Sequence, residues 1–113
     1  MTTQPQLNPN EIKDSLGRII KLKEITGKIR IAFYRALGAK DAANIAVIGE
    51  YWSVLAVESI DGQSMPLKTL VDIEYTYDQI EKGNAFTLID EWLRKNEEEK
   101  LAIEKEAKDL KKS

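Results

Sequence analysis

The spacing of apolar positions changes period several times along the chain. Ile20 and Leu22 alternate with Lys21 and Lys23, which predicts a half-buried strand. Glu11-Ile12-Lys13 and the turn Asp14-Ser15-Leu16-Gly17 lead into it, so the first unit reads as strand–turn–strand. From Thr26 the spacing becomes helical, with Ile29, Phe33 and Leu37 on one stripe, Thr26 as N-cap and Gly38 at the end. Asp41 is placed to cap a second helix running to about Ala56. Its apolar residues Ala42, Ile45, Ala46, Ile48, Trp52, Leu55 and Ala56 cover more than one face. That predicts the central, most buried helix, with Glu50 and Ser53 on its wetter side. Asp61-Gly62, between short runs at 57–60 and 63–65, predicts a second hairpin, because Gly accepts positive φ and Asp can bond its own backbone. Thr69 with Asp72 three residues on has the form of a capping box. Leu70, Ile73, Tyr77 and Ile80 then make one helical stripe, Gly83-Asn84 breaks it, and Phe86, Ile89 and Leu93 make another, with Leu88 and Trp92 beside it.

These elements define an α+β fold class. Two short β-hairpins, able to share one small four-stranded antiparallel sheet, pack with about four helices. Residues 1–10, with Pro5 and Pro9, read as a flexible arm, residues 11–93 as a single compact domain, and residues 94–113 as a charged helical tail. The tail carries seven basic and six acidic residues. Glu104 and Lys108 form a favourable i,i+4 pair worth about 0.2–0.5 kcal/mol when exposed. Ile103, Ala107 and Leu110 continue the register of Leu93, with Asn96 and Lys100 interrupting it.

Composition narrows the function classes. At 113 residues and 42% hydrophobic content the chain has the make-up of one globular domain. A net charge of −2 and a sequence pI near 5.3 weigh against a general nucleic-acid binder, which needs a basic excess to displace counterions. The chain contains neither Cys nor His. Disulfides, thiolate metal sites and Ser-His-Asp or Cys-His triads are therefore excluded. Met1 to Gln6 lack the basic start and apolar core of a signal peptide, and the apolar segment Ala42–Val57 is interrupted by Asn44 and Glu50. The expected location is the cytoplasm, with no membrane contact. Charge is polarised. Gly17–Lys40 holds seven basic residues against one acidic, and Glu50–Glu91 nine acidic against two basic. Such polarity acts mainly on partner choice and association rate.

No candidate for chemistry converges. Asp72, Glu74, Asp78 and Glu81 lack the alternating ligands, central Gly and terminal Glu of a calcium loop and read as a solvated helix face. Glu58 and Asp61 flank a turn that already accounts for Asp61. The basic stripe Lys21, Lys23, Lys28 and Arg30 has little aromatic interleaving. No catalytic residue, cofactor or metal ligand is expected. Trp92 sits where the body meets the tail and is a candidate partner anchor, although packing on the body also accounts for it. In the tail, Leu101, Ile103 and Leu110 are the candidate anchors of a segment that folds against another chain.

The ordered set of signals resembles small tail assembly chaperones of tailed bacteriophages. The residues that carry the resemblance are Asp14-Ser15-Leu16-Gly17-Arg18 before Ile19-Ile20-Lys21-Leu22-Lys23, then Ala36-Leu37-Gly38, the apolar helix, Val57-Glu58-Ser59-Ile60-Asp61-Gly62 with Pro66 after it, and the helix before Gly83. The Lys/Glu-rich tail lies outside the pattern. The resemblance implies a non-enzymatic role: binding and shielding the tape-measure protein, or another tail component, by several copies. A homo-oligomer fits that role. A structural or adaptor subunit of a virion or secretion machine, or more remotely a small regulatory nucleic-acid binder, are the alternatives.

Overall fold

The computed structural model describes residues 7–111, with side chains through Lys108. Four antiparallel strands form one sheet in the order β1 (Glu11–Lys13), β2 (Ile19–Leu22), β3 (Val57–Ile60) and β4 (Gln63–Ser64). Pairing of β2 with β3 joins the two expected hairpins into that single sheet. Between them the chain makes α1 (Gly27–Leu37), α2 (Ala39–Ala42), α3 (Ile45–Tyr51) and a 3-10 segment, Trp52–Ala56. After β4 come α4 (Leu70–Lys82) and α5 (Phe86–Lys111). The architecture is α+β, as the pattern predicts.

The strand alternation sets the inner face. Ile20 stands opposite Ile60 and Leu22 opposite Val57, and all four are buried. They join Phe33, Leu37, Val54, Leu55, Ile73, Ile80 and Ile89 in one core. Full burial of a side chain of this size is worth about 1.5–3 kcal/mol. Lys21 points away from the core and lies 3.7 Å from Glu58. At the second hairpin Asp61 (φ 49°) and Gly62 (φ 80°) both take left-handed backbone, the geometry of a two-residue loop that follows strand twist. Asp61 also binds β2: its Oδ1 accepts from Ile19 N at 2.8 Å, and its own N–H donates to Ile19 O at 2.8 Å.

The expected single central helix from Asp41 to Ala56 is not formed. Asn44 takes extended backbone (φ −99°, ψ 104°), and its Oδ1 accepts from Ala46 N at 3.0 Å and Val47 N at 3.4 Å. A side-chain cap thus competes with helix continuation and starts α3 afresh. No residue of α3 is buried, and Ile45 is 85% exposed. Burial begins only at Ser53, within the 3-10 segment that leads into β3. Ser53, expected on the wet side, is buried, and its hydroxyl donates to Asp90 Oδ1 at 2.7 Å.

The other caps follow the sequence. Thr26 Oγ1 accepts from Ile29 N at 3.3 Å, and Thr69 with Asp72 forms the complete capping box of α4.

The turn of the first hairpin does more than reverse the chain. Asp14 is buried, and its Oδ1 accepts from Leu16 N at 3.0 Å and Arg18 N at 2.9 Å. Its Oδ2 accepts from Arg18 Nε at 2.8 Å. The Arg18 guanidinium continues to α4, donating from Nη1 to Gln79 Oε1 at 2.8 Å and from Nη2 to the Gln79 carbonyl. Ser15 donates both its N–H (3.0 Å) and its hydroxyl (2.9 Å) to Gly83 O. The approach is so close that a Cβ on Gly83 would lie 2.2 Å from Asp14 Oδ2. Gly83 is therefore required by space rather than by backbone angle, its φ being −88°. Gly83→Ala is expected to lower unfolding stability by about 1–3 kcal/mol, the range for overpacking a tight site. Urea denaturation checks this, and a variant as stable as the parent would contradict the packing described.

Candidate functional site in the C-terminal helix

Asn84, with φ 52°, turns the chain out of α4 and into α5. The start of α5 belongs to the core, with Ile89, and Ala85 just before the helix, fully buried. Trp92 and Leu93 are half-buried against it. The Trp92 Nε1–H donates to Pro9 O at 2.8 Å. Trp92 is thus packed on the body and pins the chain just before β1, and its indole donor is already used. Asn10, also read as part of the arm, is held too: its carbonyl accepts from Leu22 N at 2.7 Å. Residues 1–6 of that arm lie outside the described residues.

Lys100 forms an ion pair with Glu24, within the segment that leads from β2 to α1. That hydrogen bond, reinforced by the Glu24 charge, raises the Lys100 ammonium above its usual pKa. Among the described residues it is the last hydrogen bond or ion pair from α5 to the body. Beyond it α5 overhangs. The helix continues to Lys111, and each side chain described from Leu101 to Lys108 is exposed. At about 1.5 Å per residue the overhang is roughly 16 Å long.

Helical geometry sorts the tail residues. Ile103 and Ala107 lie on the stripe of Ile89, Leu93, Asn96 and Lys100, which faces the body earlier in the helix. Past Lys100 that stripe has nothing beneath it, and Ile103 is 67% exposed. Glu99 and Glu106 edge it on one side and Glu104 on the other. Leu101, 56% exposed, stands about 200° around the helix from Ile103 and does not share its patch. Leu110 continues the stripe in sequence, but its side chain lies outside the described residues. The candidate anchors therefore do not form one cluster. The expected Glu104–Lys108 pair is not within salt-bridge distance; the i,i+4 pair in α5 is Arg94–Glu98, at 3.4 Å.

A second surface was not legible as a unit. A groove of about 580 Å³ runs between α1 and the segment after β4. Ile29, Met65 and Leu67 supply apolar lining, Lys23, Lys28, Arg35 and Lys68 supply positive charge, and Glu58 supplies one negative charge. The linear basic stripe is thereby divided. Lys21 goes to the outer sheet face, Lys23 and Lys28 to this groove, and Arg30 to a different cleft beside Trp52 and Lys100.

On another side Tyr77 stacks between Tyr51 and Phe86, with ring centroids 5.3 and 4.9 Å away, and its hydroxyl donates to Glu50. This cluster ties α3 to α4 and α5. Among the described residues no group of three or more carboxylates could hold a metal ion, and no helix is long and apolar enough to cross a membrane. Comparison with protein-family models, with curated proteins and with solved structures gives no match to this chain.

The Tyr77–Glu50 bond makes a pH dependence testable. That hydrogen bond, with a smaller effect of burial, pushes the Tyr77 hydroxyl up to about 12 from 10.0. Between those values the unfolded chain loses the proton while the folded chain keeps it, so stability falls as pH rises from about 10 to about 12. Burial and nearby carboxylates also raise Tyr51, so tyrosinate absorbance should show late-titrating tyrosines, of which Tyr77→Phe removes the one near 12. Loss of an early-titrating tyrosine instead would contradict the assignment.

Proposed function

We propose that this protein is a phage or prophage tail-morphogenesis chaperone that binds and shields the tape-measure protein before the tail tube assembles. The reading comes from the ordered motifs of residues 11–93, and the overhang of α5 is the observation that supports it best. Apolar residues presented on a helix, without a covering surface of their own, suit helix-on-helix contact with a long, aggregation-prone client. One such contact is weak. Several copies along one client gain by avidity. The protein works in this reading by covering surface, in the host cytoplasm, and no group on it has to react.

Co-expression with overlapping tape-measure fragments is the test. The intact protein is expected to keep at least one otherwise insoluble fragment in solution. Ile103→Glu, which puts a charge on the stripe without touching the core, should weaken capture by roughly tenfold, the equivalent of about 1.4 kcal/mol. No gain in solubility for any fragment would overturn the proposal.

A further inference from the structure

Two surfaces of this chain match each other. The overhang of α5 presents the apolar pair Ile103 and Ala107, edged by Glu99, Glu104 and Glu106. The groove beside α1 presents an apolar floor edged by Lys23, Lys28, Arg35 and Lys68, with one carboxylate, Glu58, which lies 3.7 Å from Lys21. Among the described residues none of the three tail glutamates or the four groove cations takes part in a salt bridge. Lys28, Arg35 and Lys68 are exposed, as are the three glutamates. Both surfaces have an apolar centre; the groove's border is net positive, four cations against Glu58, and beside Ile103 and Ala107 the three glutamates lie nearer than Lys105 and Lys108, while Lys100 on the stripe is paired with Glu24.

We infer that the overhang of one copy docks in the basic groove of a second copy. Ile103 and Ala107 enter against Ile29, Met65 and Leu67 while the glutamates meet the groove's cations. A second copy is favoured over a coiled-coil pairing of two overhangs, because that pairing would bring acidic borders together, and like charges repel. The contact uses different patches on the two partners. It is therefore heterologous, leaves a free tail and a free groove at the ends, and propagates head to tail into a ring or an open array. An overhang of roughly 16 Å covers less than the about 1,200 Å² of a standard stable interface, so association is reversible and depends on concentration. It also weakens with salt, since its charges sit at the rim. None of this depends on the chaperone reading, and the purified chain alone suffices to test it.

The experiment is light scattering coupled to size-exclusion chromatography on the full chain, across a concentration series at low and high salt. Average mass is expected to rise with concentration and fall back with salt. The charge-reversed groove, Lys28→Glu with Arg35→Glu, should hold the chain as a monomer. The charge-reversed tail, Glu99→Lys with Glu104→Lys and Glu106→Lys, should do the same. An equimolar mixture of the two variants presents an acidic groove to a basic tail and a basic groove to an acidic tail, so association should return. All five substituted positions are exposed, and circular dichroism verifies the fold of each variant. A parent chain that stays monomeric throughout, or variants that associate like the parent, or a mixture that stays monomeric, would each overturn the inference.

Discussion

A buried carboxylate pressed against a glycine organises this molecule. Asp14 lies where no side chain on Gly83 could fit, and each of its oxygens has a donor. Burying a charge is costly unless it is both paired and hydrogen-bonded. Here the Arg18 guanidinium neutralises it and spends its remaining nitrogens on Gln79 of α4. Arg suits this place because its planar fork serves a carboxylate and a second partner at once. The outcome is a fixed joint between the first β-hairpin and the α4–α5 corner.

From that joint the rest follows in order. Ser15 holds the Gly83 carbonyl, Asn84 turns the chain, and α5 starts in a set direction across the body. Ile89, Leu93 and Trp92 keep it there, and Lys100 meets Glu24. The helix is longer than the body beneath it. Its inward stripe is therefore covered at one end and bare at the other. The same periodicity that packs α5 up to Leu93 leaves Ile103 and Ala107 exposed beyond Lys100.

Local signals in the sequence were good guides where a short segment decides its own conformation. Thr26, the Thr69–Asp72 box and Asp61-Gly62 each act within a few residues, and each does what its chemistry predicts. The four-stranded sheet was legible too, since Ile20 and Leu22 alternate cleanly. For Asp41–Ala56 the apolar content predicts one buried helix, and the fold differs. Asn44 capped a new start there, and burial was reserved for the 3-10 segment. The Asp14-Ser15-Leu16-Gly17-Arg18 turn was seen, but its partners Gln79 and Gly83 lie more than sixty residues away and left no local trace. The basic groove was hidden for the same reason, since α1 and Met65-Pro66-Leu67 meet only in the folded chain. Of the tail's apolar residues, Leu101 stands roughly 200° around the helix from Ile103.

Amide hydrogen exchange along α5, at a concentration low enough for the chain to be monomeric, tests the central claim most directly. If the Asp14–Gly83 joint aims a helix that outruns its support, amides from Ile89 to about Lys100 should be strongly protected. Protection should fall sharply beyond Lys100, where only helical hydrogen bonds remain. Uniform protection from Ile89 to Lys108 in the monomer would mean that the stripe is covered by the body, and would contradict the account.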